Sequence, residues 1–169
     1  DDLERLGLSP TDRRILILGA GGAVAGCLGP LVAKNPTEIV IANRSIDKLE
    51  RLVSRYDQEV RGIAFSELDS QGEPFDLVIN GISAGLSGST GVELTDRIVN
   101  ADGACYDLVY GVDETPFLKM CGSLTDQRAD GLGMLLAQAA RQFELWTGIY
   151  PDPFDQLVDF GRAPDPRAF

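Results

Sequence analysis

A chain of 169 residues that is 44% hydrophobic can bury one proper core, and it holds no apolar run long enough to span a bilayer and no signal-peptide pattern. Its net charge of −11 argues against a nucleic-acid partner, because a phosphate backbone needs a basic face. Histidine is absent, which removes Ser-His and Cys-His nucleophilic schemes and the commonest zinc ligand, so any proton transfer falls to Lys, Asp, Glu, Tyr or a group outside this chain.

The chain opens on a leading helix at about 1–8, with Leu3 to Leu8 as its clearest part. The continuous apolar run Ile15 to Leu18 predicts a strand covered on both faces, and Glu38 to Ala42, Asp76 to Ile79 and Ala104 to Val109 read the same way. Arg61 to Phe65 is a shorter strand. Helical patterns lie between them: Ala23 to Lys34, ended by Asn35-Pro36, and Ile46 to Tyr56, with Leu49, Leu52 and Val53 on one face. The longest runs from Asp130 to Thr147, with Leu132, Leu135, Ala139, Phe143 and Trp146 as its expected core face.

Strands alternating with helices imply an α/β, Rossmann-like doubly wound parallel sheet with helices on both faces. A trailing helix is expected at about 153–161 (Phe154 to Phe160), so that residues 1–162 form one domain and 163–169, rich in proline, a flexible tail. Cys27, Cys105 and Cys121 show no metal-ligand spacing; free buried thiols in a reducing cytoplasm are the expectation, with no metal site.

Gly19-Ala20-Gly21-Gly22-Ala23 stands where the first strand turns into the first helix. Gly19 permits the tight turn, and Gly21 lets the backbone approach a pyrophosphate without an intervening side chain. The helix start beyond them offers unpaired N–H groups and a positive dipole end. The complete dinucleotide fingerprint has Gly or Ala at position 24, where this chain has Val24.

At the end of the second strand an NAD site carries an acid for the ribose 2′-hydroxyl, whereas this chain has Asn43-Arg44-Ser45. Arg44 can pair with the extra 2′-phosphate of NADP through its guanidinium fork, and Lys48, one helical turn on, adds a second charge. Ser45 is placed as the N-cap of the following helix. Solvated surface positions are the plain alternative for Arg44 and Lys48. Their place beside the glycine turn favours NADP over NAD.

Taken in order, Gly19 to Ala23, Asn43-Arg44-Ser45 with Lys48, Asp76 to Asn80, Tyr106 to Tyr110, Thr115 to Leu118, Asp130-Gly131-Leu132-Gly133-Met134-Leu135 and Gln138 to Gly148 resemble the C-terminal, NADP-binding domain of the shikimate dehydrogenase family. The resemblance covers nearly the whole chain. It implies that Ser83 and Ala84 approach the ribose and nicotinamide side, that Leu108, Gly131 and Met134 bound the nicotinamide pocket, and that Tyr110 and Gln138 reach the shikimate site. Gly131, Met134 and Gln138, spaced three and four apart, share one stripe of the long helix. Departures from the family pattern fall at Val24-Ala25, where a small polar residue and an Arg are usual, at Gly81 for Ala and at Ile82 for Thr.

The family reaction passes a hydride between NADPH and the C3 carbonyl of 3-dehydroshikimate to give shikimate, for aromatic amino-acid synthesis. Its catalytic Lys and Asp belong to an N-terminal domain that precedes the stretch resembled here, and Lys34, Lys48 and Lys119 match none of it. The chain alone is therefore expected to carry no catalytic residue, and to act on shikimate or 3-dehydroshikimate only with that missing half. Two rivals remain: an NAD-using quinate/shikimate dehydrogenase domain, which an acid at position 43 or 44 would favour, and a non-catalytic NADP-sensing module, which would have no use for Tyr110 and Gln138.

Overall fold

The uninterrupted apolar runs become parallel strands, since a strand buried on both faces carries no polar alternation. The structure, a computed structural model, describes residues 1–56, 60–82 and 92–155. The strands among them are β1 (Arg14–Leu18), β2 (Glu38–Asn43), β3 (Val60–Ala64), β4 (Phe75–Asn80), β5 (Val99–Asp107) and β6 (Gln127–Asp130). They form one parallel sheet in the order β3-β2-β1-β4-β5-β6. This is the doubly wound Rossmann order, in which the winding reverses between β1 and β4 and a ligand crevice opens outside the carboxyl ends of those strands. Leu18 pairs with both Ala42 and Asn80, so three strands end level beneath that crevice.

The chain divides into two compact units, Pro10–Asp130 and Asp1–Ser9 together with the chain from Gly131 onward. In the first unit the helices are α2 (Gly22–Val32), α3 (Ile46–Val53) and α4 (Pro116–Cys121), with a 3-10 turn at Phe65–Ser70. Leu16, Leu18, Val40, Ala42, Val78 and Cys105 pack with Phe117, Leu118 and Cys121 of α4. The intervening residues Ile15, Ile17, Ile39, Ile41 and Leu77 point the other way and are equally buried, as the two-residue period of a strand requires. At the amino ends of the strands, Arg14 joins three of them. Its Nε donates to Glu38 Oε1 at 2.6 Å and one terminal nitrogen to the Pro74 carbonyl at 3.1 Å; its backbone N–H donates to Asp76 Oδ2 at 2.9 Å.

Some element ends differ from the expectations. Helix α2 runs through Pro30 and stops at Val32, short of Lys34; Pro30 has no N–H to donate within the helix. Helix α3 stops at Val53, short of Tyr56. Asp130 belongs to β6, a polar edge strand (Gln127-Arg128-Ala129-Asp130) without a hydrophobic signal, and not to the long helix that the sequence pattern begins there.

The second unit contains α1 (Asp2–Arg5) and α5 (Leu132–Thr147). Asp2 is buried, pairs with Arg5 at 2.8 Å and lies against the first turn of α5, where a Cβ on Gly133 would fall 2.1 Å from its Oδ1. The leading helix is thus shorter than residues 1–8. Residues 156–161 of the expected trailing helix, and the 163–169 tail, lie outside the described residues. The expected core face of α5 is corrected: Leu132, Gly133, Ala137 and Ala140 are buried, while Leu135, Ala139, Phe143 and Trp146 are exposed, Trp146 by 80%. Small residues let a helix approach its neighbour closely, and this helix buries its small stripe in preference to its large one.

Candidate functional site

Where β1 ends, the chain must turn sharply into α2, and Gly19 takes up a φ of +98° that L side chains rarely adopt. A Cβ there would also lie 3.1 Å from the Gly81 carbonyl carbon and oxygen, so the turn is pressed against the exit of β4. Gly21 and Gly22 differ. They are exposed, and among the described residues a Cβ on either would meet nothing within 4 Å. Gly21 is the N-cap of α2, and among the described residues no side chain caps the helix, so its first N–H groups lack a capping partner at the positive end of the helix dipole. Ala20 is half-buried and Ala23 exposed. Gly19 to Ala23 thus form the turn from β1 into the first turn of α2.

The neighbouring strand end lies beside it, because the Gly19 N–H donates to the Ala42 carbonyl at 2.8 Å. Asn43 Nδ2 donates to the Ser45 carbonyl at 3.0 Å, holding the bend from β2 into α3. Ser45 is the N-cap of α3, as expected, but its hydroxyl makes no capping bond. Arg44 and Lys48 are exposed, and among the described residues neither has an ion-pair partner. Among the described residues, Arg44 and Lys48 thus stand without an ion-pair partner at the carboxyl end of β2, next to a helix start that no side chain caps.

A third component was not singled out from the sequence. Asn80, at the end of β4, donates from Nδ2 to Asp107 Oδ1 at 2.8 Å and accepts the Ile82 N–H at 3.2 Å; its carbonyl accepts the Leu108 N–H at 2.9 Å. Asp107 also accepts from the Thr115 hydroxyl at 2.6 Å and from the Val109 N–H at 3.1 Å. Thr115 in turn caps α4 by accepting the Leu118 N–H at 3.3 Å. Burial pushes the Asp107 carboxyl above the ordinary Asp value; its three hydrogen bonds oppose that shift, and nearby Asp130 adds to it. One carboxylate therefore fixes both ends of the 108–115 loop, which carries Leu108, half-buried, and Tyr110, 49% exposed. The lone acid in the run Ala104 to Val109 was the available signal for it.

Gly131, Met134 and Gln138 belong to the second unit, on α5 and its N-cap: Gly131 is buried, Met134 half-buried and Gln138 exposed. Ser83 and Ala84 lie outside the described residues. The three cysteines are free thiols. Cys105 and Cys121 are buried, and their mutual hydrogen bond, followed by burial, pushes the Cys105 thiol up. Among the described residues no group of His, Cys, Asp and Glu could hold a metal ion, and no helix is long and apolar enough to cross a membrane.

Comparison with known proteins agrees with this arrangement. Residues 4–91 match the Shikimate / quinate 5-dehydrogenase family, and residues 131–153 match the Shikimate 5'-dehydrogenase C-terminal domain. A shikimate dehydrogenase (NADP(+)) of Chromohalobacter salexigens is 46% identical over 153 residues, which are 89% of this chain and 55% of that protein. Among solved structures, an Ael1 enzyme of Pseudomonas putida is 36% identical with a TM-score of 0.79, over 95% of this chain and 58% of that one. Shikimate 5-dehydrogenase of Thermus thermophilus, solved in complex with NADP(H) and shikimate, is 28% identical with a TM-score of 0.76, over 95% of this chain and 59% of that one. The chain thus spans a little over half the length of these relatives, and with the glycine turn, the sheet order and both family matches in register, it belongs to the shikimate/quinate dehydrogenase family.

Proposed function

We propose that this chain is the NADP-binding part of a shikimate dehydrogenase. The observation that carries the reading is the pairing of two adjacent strand ends. A glycine-lined helix start at Gly21, uncapped among the described residues, suits a pyrophosphate, and Arg44 and Lys48 at the next strand end, unpaired among those residues, suit a 2′-phosphate. Neither residue 43 nor residue 44 is an acid, as an NAD-using relative would want. The open space over Gly21 and Gly22 is the cradle that a Cβ would narrow, so the residues present fit the dinucleotide.

NADPH held there would supply the hydride that reduces the C3 carbonyl of 3-dehydroshikimate. The work of this chain is positioning: Gly19 to Ala23 hold the pyrophosphate, and Asn43, Arg44, Ser45 and Lys48 the adenosine phosphate. By resemblance, Ser83, Ala84, Leu108, Gly131 and Met134 are assigned to the nicotinamide, and Tyr110 and Gln138 to shikimate. None of these residues transfers the proton, which we assign to Lys and Asp of a further domain, so that these 169 residues alone bind without turning over. A cytoplasmic setting belongs to the same reading, because three free thiols suit a reducing compartment.

Titration with NADPH and NADH tests it. NADPH should bind more tightly, and Arg44→Ala should weaken NADPH by about tenfold or more while leaving NADH unchanged. Equal affinities for the two nucleotides would sink the assignment. Adding the missing half, in cis or as a separate fragment, should restore shikimate-dependent NADP reduction; continued inactivity of a folded complex would favour the sensing module.

A further inference from the structure

The third small residue of a dinucleotide fingerprint exists so that the first helix can pack closely on the sheet. This chain has Val24 in that position, and Val24 is 1% exposed on the inner side of the first turn of α2. The space it occupies comes from another strand. A Cβ on Gly81 would lie 2.3 Å from Val24 Cγ2, inside any permitted contact, with the Leu18 carbonyl oxygen at 3.2 Å and Leu108 Cδ1 at 3.4 Å. Val24 cannot readily turn aside, since a β-branched side chain in a helix has essentially one χ1 rotamer. Gly81 itself is tied down, its N–H donating to the Leu18 carbonyl at 2.8 Å. The next residue, Ile82, sends Cγ1 to within 3.2 Å of where a Gly19 Cβ would be.

We infer that Val24 and Gly81 form a coupled pair of positioning residues for the cofactor cleft, the requirement for a small residue having moved from the helix to the end of β4. Val24 fills the gap between α2 and the sheet, and the missing Cβ at Gly81 lets the exit of β4 lie against the phosphate turn. Gly19 and Ile82 are thereby held at the depth the dinucleotide meets. Neither side chain is placed on the cofactor itself; the pair acts through the backbone of Gly19, Gly81 and Ile82. The two departures from the family pattern at positions 24 and 81 are in this light one change. The inference rests on the cofactor reading above and deepens it.

NADPH titration and thermal melting of four proteins test it: the wild-type chain, Gly81→Ala, Val24→Ala and the double variant. Gly81→Ala should weaken NADPH binding by about tenfold, and adding Val24→Ala should bring affinity back to within about threefold of wild type, the non-additivity of residues in direct contact. Should Gly81→Ala alone fail to fold, the double variant must still fold and bind, since Ala at position 24 removes the obstructing methyl group. A double variant no better than Gly81→Ala overturns the coupling. A Gly81→Ala protein that melts lower but binds NADPH as well as wild type reduces the pair to packing and overturns its positioning role. Failure of the wild-type chain to bind NADPH is read separately: it overturns the cofactor reading and this inference with it.

Discussion

The Asn80 amide donates to the Asp107 carboxylate at 2.8 Å, a buried side-chain bond that ties the carboxyl ends of β4 and β5 at the edge of the proposed cofactor crevice. Both residues are almost wholly removed from water. Because the folded-state value of Asp107 lies above its ordinary one, the folded protein holds an extra proton between the two values. The contribution of that carboxyl to stability is fully present below the ordinary Asp value, about 3.9, and is lost as pH rises through the folded value. The melting temperature of the wild-type chain should therefore rise relative to Asp107→Asn as pH falls from neutrality toward that value. A difference that stays constant with pH would show that burial leaves this carboxyl unshifted.

Gly19→Ala should destabilise the chain by about 1–3 kcal/mol, since it places an L side chain at a φ of +98° and against the backbone of Gly81. Urea denaturation measures it. A change within experimental error would mean that the turn relaxes without strain. Gly22→Ala provides the control: its φ is ordinary and its Cβ would meet open space, so stability should hold while NADPH affinity falls.

In the second unit, Gly133→Ala should cost about 1–3 kcal/mol by overpacking against the Asp2 carboxylate. Asp2→Ala in the same protein should recover part of that loss, because the obstructing oxygens are then gone. Denaturation midpoints of the two single variants and the double one check the coupling; strict additivity would place Asp2 elsewhere.

Lys48 stands one helical turn beyond Arg44 and is equally free of ion pairing among the described residues. As an exposed point charge it should contribute less than the guanidinium fork. Lys48→Ala is expected to lower NADPH affinity by about two- to fivefold, and raised salt should shrink the effect. An unaltered NADPH titration would leave Arg44 as the sole anchor.

The site was legible where residue type alone carries the physics. Glycines at a strand-to-helix turn and a basic residue at the next strand end can be recognised without coordinates. Helix α5 was misread because it is apolar on more than one side: Leu135, Phe143 and Trp146 carry more hydrophobic surface than Gly133, Ala137 and Ala140, yet the small stripe is the buried one. Strand β6 went unseen because an edge strand held by backbone pairing to β5 needs no apolar side chains.

The sequence by itself determined the sheet-building runs, the glycine turn from β1 into α2 and the family, because each depends on the chemistry of a local segment and its spacing. Only the tertiary structure decided which residues share a volume. That Asp107 accepts from Asn80, that Asp2 occupies the space left by Gly133, and that Val24 lies where a Cβ on Gly81 would reach are contacts between segments far apart in the chain. Such contacts depend on register and on close packing in a dense interior, where a single methyl group excludes its neighbour.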